Sequence, residues 1–110
     1  MAIYTTEEIV ERIRPVVEKY CLGRVSLYGD YARGDATEKS EINLLVEVLD
    51  FEKINGWHYG GLYGDLEDAL QKSCDVITER QLETRNHNKW SERFVEEVES
   101  ERMVIINGKG

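Results

Sequence analysis

Apolar residues at Ile9, Val10, Ile13, Val16, Val17 and Tyr20 recur at helical spacing and predict an amphipathic helix from about Thr5 to Tyr20. Thr5 suits the N-cap, with Glu8 completing a capping box and Tyr4 and Ile9 forming a staple across it. Pro15 falls inside this pattern and removes the hydrogen bond to the Glu11 carbonyl, which predicts a kink or a second short start. Gly23 ends the unit. Arg24 to Tyr28 then reads as a short strand, with Val25 and Leu27 on one face.

Gly29 to Gly34 is too short and too rich in turn formers for another strand, and reads as a tight turn into a brief helix stopped by Gly34. A polar loop, Asp35 to Ser40, leads into the clearest strand. From Glu41 to Leu49, the residues Ile42, Leu44, Val46 and Val48 alternate with Glu41, Asn43, Leu45 and Glu47. Ile54 to Gly64 carries four of the nine glycines and predicts a loop entering a helix striped by Leu62, Leu66, Ala69 and Leu70. Lys72 sits at that helix's end. Cys74 to Thr78 reads as a third strand, Asn88 to Arg102 as an amphipathic segment bearing Trp90, Phe94, Val95 and Val98, and Met103 to Ile106 as a last strand. The sum is an α/β or α+β fold, a small mixed sheet flanked by helices, with residues 1–110 expected to form one domain.

Composition narrows the function classes. The 110 residues are 41% hydrophobic and 33% charged, enough for one ordinary core without disulfide staples. Apolar runs such as Leu44-Leu45-Val46 are far too short to span a bilayer, and the N-terminus lacks a signal-peptide pattern, so a cytoplasmic protein without a membrane role is expected. Cys21 and Cys74 have no metal-site spacing and read as reduced, buried thiols. An excess of 22 acids over 14 bases, a formal charge of -8, disfavours phosphate backbones, so no nucleic-acid partner is expected. A basic protein partner fits more easily.

The central residues resemble a known family. Gly29, Asp30, ten residues from Tyr31 to Ser40, then Glu41-Ile42-Asn43 resemble the G-S-x10-D-x-D signature of minimal nucleotidyltransferases, in the DNA polymerase beta-like superfamily. Tyr31-Ala32-Arg33-Gly34 matches the Y-A-R-G that usually follows the Gly-Ser, and Leu44-Leu45-Val46 matches the strand after D-x-D. Cys74-Asp75-Val76-Ile77-Thr78 resembles the V-D-L-V-T strand that supplies a third carboxylate. The similarity spans roughly Ile9 to Leu82.

The resemblance implies a nucleotidyltransferase fold and a site in which Glu41, Asn43 and Asp75 take the catalytic and metal positions. Gly29, Asp30 and Arg33 take the nucleotide-binding ones. It also implies Mg²⁺ and ATP as cofactors if the site is active, and an antitoxin-type partnership with a HEPN-type toxin; a homo-oligomer is the alternative assembly. Acids at i and i+2 of a strand share a face about 6.6 Å apart, and an acid on a neighbouring strand can join them to hold two metal ions.

Three departures weigh against the chemistry. Asp30 stands where the family has serine; its carboxylate cannot donate to a phosphate oxygen and repels the anion, although Asp is a good helix N-cap. Glu41 replaces the first aspartate and displaces its oxygens by about 1.5 Å, a shift on the scale that costs about a hundredfold in tight geometry. Asn43 replaces the second with a neutral ligand, which Mg²⁺ disfavours. Glu41 and Asp75 remain as matching anions, unless Asp30 swings in as a third. A retained fold with weakened catalysis, acting by protein binding, is expected ahead of active transfer of a nucleoside monophosphate to a partner's hydroxyl.

Other features admit plain readings. Arg33 either contacts phosphate or pairs with an acid, and Lys39 reads as solvated. GWHYGGLYG lacks the Lys-Ser/Thr ending of a P-loop; it reads as an ordinary loop, or as a pocket rim carrying Trp57, His58 and Tyr59. His58 and His87 stand far apart, without zinc or triad spacing. Glu92, Glu96, Glu97, Glu99 and Glu101 read either as a solvated helix face or as a surface for a basic toxin.

Overall fold

A computed structural model describes residues 3–49, 56–84 and 91–107. Helix α1 (Thr6–Lys19) begins as the sequence requires: Thr5 Oγ1 accepts from the Glu8 amide at 3.1 Å, and Glu8 Oε1 accepts from the Thr5 amide at 2.8 Å. Of the two outcomes expected at Pro15, a second start does not occur: the helix runs through it as one element. Glu11 and Pro15 both lie on its exposed side, so water can satisfy the carbonyl that proline leaves unpaired. The opposite side buries Ile9, Ile13, Val16 and Val17.

Strands β1 (Leu22–Tyr28) and β2 (Ile42–Val48) pair antiparallel, and the short helix α2 (Asp30–Arg33) lies in their connection. Helix α3 (Gly56–Leu70) crosses to β3 (Cys74–Thr78), which pairs parallel with β2. Helices α4 (Glu79–Thr84) and α5 (Glu92–Glu101) follow, and β4 (Met103–Ile106) returns antiparallel to β1. The sheet is therefore mixed, in the order β3-β2-β1-β4.

Both sheet faces are covered. On one, Ile13 and Val17 of α1 and Leu62, Leu66 and Leu70 of α3 share a core with Val25, Leu27, Leu44 and Val76. On the other, Leu82, Val95 and Val98 meet Tyr28, Leu45 and Ile77. That second layer explains why Leu45, which alternates with the polar positions of β2, is fully buried. Polar contacts lock α1 against α3: Tyr4 Oη donates to the Leu70 carbonyl at 2.6 Å, and Lys19 and Tyr20 both donate to Asp65 Oδ2 at 2.8 Å. Among the described residues no helix is long and apolar enough to cross a membrane.

Two further expectations change. Much of the glycine-rich stretch expected as a loop is already helix, since α3 starts at Gly56. One of its glycines sits at a close contact: a side chain at Gly61 would press on the Tyr20 hydroxyl, which lies 3.0 Å from an ideal Cβ, whereas Gly60 and Gly64 face open space. The side chains of Trp57, His58 and Tyr59, together with Ile54, His87 and Trp90, lie outside the described residues. Helix α4 was not anticipated. Its start is a reciprocal cap, with the Gln81 amide donating to Thr78 Oγ1 at 3.0 Å and the Thr78 amide donating to Gln81 Oε1 at 2.9 Å.

Glu79, the first residue of α4, ties three elements together. Arg24 of β1 donates to its carboxylate through Nε and Nη2, both at 2.9 Å. Arg102, between α5 and β4, donates through Nη2 at 2.6 Å and also reaches Ser26 Oγ at 3.0 Å. Burial pushes the Glu79 pKa up, but the hydrogen bonds from Arg24 and Arg102 outweigh it and hold the carboxyl below its usual range. A depressed folded-state pKa supplies stability above the unfolded value, 4.5, that is lost as pH falls through the folded one. Glu79→Gln is therefore expected to cost about 1.5–3 kcal/mol at pH 7. The gap between variant and natural chain should close in thermal melts taken progressively below pH 4.5.

Candidate functional site

The turn after β1 is built on glycine. Gly29 takes φ 77° and ψ -148°, and a Cβ there would overlap the Asn43 side-chain amide nitrogen, so both backbone conformation and space demand glycine. Gly29 is itself the N-cap of α2, and Gly34 closes the helix at φ 83°. Asp30 is thus the first helical residue, not the cap that its residue type suggested, because the left-handed turn uses up the preceding position. Its carboxylate accepts from Arg33 Nη2 at 2.6 Å and from Ser40 Oγ at 2.8 Å. Ser40 in turn accepts from the Thr37 amide at 2.9 Å. Asp30 therefore ties the α2–β2 loop together and does not swing towards the strand acids.

The sheet register places Tyr28 of β1, Asn43 of β2 and Asp75 of β3 side by side. Glu41 precedes Asn43 by two residues, just ahead of the first residue of β2, and is exposed. The topology thus brings Asn43 and Asp75 together as the motif spacing anticipated, with Glu41 at the open end. Asp75 is already engaged: Tyr28 Oη donates to Oδ2 and Tyr63 Oη of α3 donates to Oδ1, each at 2.8 Å. Burial, then the bond to Asp75, raises the Tyr63 pKa, so this phenol stays protonated and donating. Cys74 is pushed up to about 12 by burial and by the negative charges of Glu67, Asp75 and Glu41, which makes it an inert thiol.

Of the two readings open for Arg33, pairing with acids is the one this structure displays. Its guanidinium donates to Asp30 Oδ1 at 2.6 Å, to Asp35 Oδ2 at 3.3 Å and to Glu101 Oε2 at 2.8 Å. The Glu101 bond leads the causes that raise the Arg33 pKa. Glu101 also accepts from the Gly29 amide through Oε1 at 3.3 Å. This α5 glutamate, read with its neighbours either as a solvated face or as a surface for a basic toxin, reaches the turn, with its side chain 25% exposed.

Tyr28, Tyr63, Ser40 and Glu101 are the site residues that sequence reading missed. Tyr28 and Tyr63 reach Asp75 from 47 and 12 residues away, and Glu101 reaches Gly29 across 72; no local pattern encodes such contacts.

In this arrangement the donor set does not fit a two-metal centre. Asn43 is neutral, Glu41 sits at the exposed strand start, and Asp75 has a phenol on each oxygen. Among the described residues no group of three or more His, Cys, Asp or Glu is gathered to hold a metal ion. Three carboxylates around Arg33 leave its surroundings negative, unfavourable to a triphosphate.

Comparison with known proteins agrees with the fold and the motif. Residues 5–102 match the model of the nucleotidyltransferase domain family. A Methanocaldococcus jannaschii protein bearing the provisional name protein adenylyltransferase is 30% identical over 92 residues, which is 83% of this chain and 88% of that relative. A solved structure of a protein provisionally named a minimal nucleotidyltransferase superposes with a TM-score of 0.66 at 25% identity, covering 94% of this chain and 98% of the other. A chain from tri-AMPylated Shewanella oneidensis HEPN toxin in complex with MNT antitoxin superposes with a TM-score of 0.55 at 18% identity, a likeness of fold, covering 91% of this chain and 67% of that one. With the matched region spanning nearly the whole chain, this protein belongs to the nucleotidyltransferase domain family and is of its minimal type.

Proposed function

We propose that this chain keeps the minimal nucleotidyltransferase scaffold to bind a protein partner, with its catalytic site weakened or silent. The observation that carries this reading is the engagement of Asp75, whose two carboxylate oxygens each accept a tyrosine hydroxyl. The two phenols take two of the roughly four lone-pair sites of the carboxylate and fix its orientation, so turning it towards a metal ion works against two good hydrogen bonds. Asn43 beside it brings no compensating charge.

The partner class follows from relatives and from charge. The fold is shared with a chain from a complex of MNT antitoxin and HEPN toxin, so a HEPN-type toxin is the counterpart we assign. A net charge of -8 and the glutamates of α5 suit a basic partner surface, which speeds encounter and fixes orientation.

A second reading has its own support. Asn43 and Asp75 stand in register on adjacent strands, the positions the motif resemblance assigns to the metal site, and a relative at 30% identity carries the provisional name protein adenylyltransferase. On that reading the chain transfers a nucleoside monophosphate from Mg-ATP to a hydroxyl of its partner.

Two measurements separate the readings. In a thermal melt with about 1 mM Mg-ATP, near the top of ordinary KM values, the natural chain is expected to show no stabilisation. The triple variant Asp30→Ser, Glu41→Asp, Asn43→Asp is expected to gain several degrees, since a ligand at a hundred times its Kd adds about 2.7 kcal/mol. A clear rise for the natural chain would favour the enzymatic reading. In the second measurement the chain is co-expressed with a HEPN-type protein, recovered with it, and the partner weighed by mass spectrometry. A bound, unmodified partner is expected; a bound partner carrying a nucleoside monophosphate would overturn the silent-site reading.

A further inference from the structure

We propose that Glu101 is a built-in anion that fills the seat of a nucleotide phosphate at the Gly29 turn, so that the end of α5 closes the site from within. The inference rests on reading that turn as a phosphate seat. It adds a residue, from the far end of the chain, that no motif assigns.

The geometry is that of anion recognition. A backbone N–H from Gly29 and a guanidinium N–H from Arg33 converge on the two oxygens of one carboxylate, at 3.3 and 2.8 Å. A backbone amide and an arginine are the same donors that hold a phosphate oxygen pair, and charge-assisted bonds of this kind are the strong ones. Neither donor can serve Glu101 and a phosphate fully at once. The two anions compete.

Glu101's position argues against an incidental surface pair. It is the last residue of α5, a helix with no basic residue in its final turn. A carboxylate there faces the negative end of the helix dipole, an unfavourable place unless outside donors compensate. Gly29 and Arg33 are those donors. The next residue, Arg102, is fixed by Glu79 and Ser26, and Met103 pairs in register with Leu27. The chain on the C-terminal side of Glu101 is therefore anchored to the same strand that leads into the turn. The carboxylate is delivered to Gly29 by the fold and does not depend on a freely rotating surface side chain. Opening the seat requires the last turn of α5 to withdraw, or the Glu101 side chain to swing out.

The test uses the full chain and inorganic tripolyphosphate, which needs neither base recognition nor metal, and follows the Gly29 amide resonance by NMR. Glu101→Gln and Glu101→Asp are each made in the natural chain and in the Asp30→Ser, Glu41→Asp, Asn43→Asp background. Glu101→Asp keeps the charge but shortens the reach, so it separates the contact from net charge. The expected result is a Gly29 shift on either substitution alone. Tripolyphosphate should then bind about tenfold more tightly with Glu101→Gln, the equivalent of about 1.4 kcal/mol, and Glu101→Asp should fall between. If the triple variant binds tripolyphosphate at Gly29 equally well with and without Glu101→Gln, the phosphate seat stands and the plug is overturned. If no version moves the Gly29 resonance with tripolyphosphate, the seat itself is misread and the plug falls with it.

Discussion

One carboxylate held by two guanidinium groups decides where the last third of this protein goes. Glu79 is nearly buried at the start of α4, and such a charge is tolerable only if paired and hydrogen-bonded. Its partners come from β1 and from the α5–β4 junction, 55 residues before it and 23 after it. The pairing therefore draws α4, β1 and the C-terminal segment to one point. Ser26, fully buried on β1, accepts from the same Arg102 guanidinium, so a polar group in the second core is satisfied by the same clamp. Once Arg102 is fixed, β4 must lie beside β1 and α5 must end over the Gly29 turn.

From that constraint the state of the site follows. The sheet presents Tyr28, Asn43 and Asp75 in one row, the platform on which a carboxylate cluster would hold metal ions. Here the row is satisfied internally, phenol to carboxylate, and the turn is satisfied internally, amide and guanidinium to carboxylate. Each bond occupies a donor or an acceptor of the row or of the turn. A site whose donors and acceptors already pair gains less from a ligand than one whose groups point into water, because binding must first break those pairs.

The sequence showed what depends on near neighbours. The Thr5–Glu8 capping box, the alternation of β2 and the strand of Cys74 to Thr78 were all readable, since each pattern is complete within a few residues. The motif also placed Asn43 beside Asp75 correctly, because spacing and strand order together determine register. The start of α3 was misjudged because glycine lowers helix propensity, and packing against α1 overrides it. Helix α4 had a legible signal in Thr78-x-x-Gln81, the same capping pattern that revealed α1, hidden here by its position directly after a strand. The tyrosines on Asp75 and the reach of Glu101 had none. They are products of tertiary structure, and a glutamate on a charged helix looks alike whether it meets water or an arginine.

The three departures from the family motif are consistent with this closure when taken together with Glu101. A serine at position 30 would leave Arg33 with two carboxylates; Asp30 makes three, and it also binds Ser40, so the loop before β2 is tied to the turn. That loop carries the chain directly to Glu41, which stands exposed just ahead of β2. Asn43 fits under Gly29, where its amide nitrogen occupies the space a glycine leaves open. An aspartate there would put a second negative charge next to Asp75 on the same face, a repulsion that a metal ion relieves and that a metal-free sheet must bear. Neutral Asn43 removes that repulsion. The neutral amide thus leaves Asp75 as the one charge in the row of Tyr28, Asn43 and Asp75, and it packs beneath Gly29 without electrostatic cost.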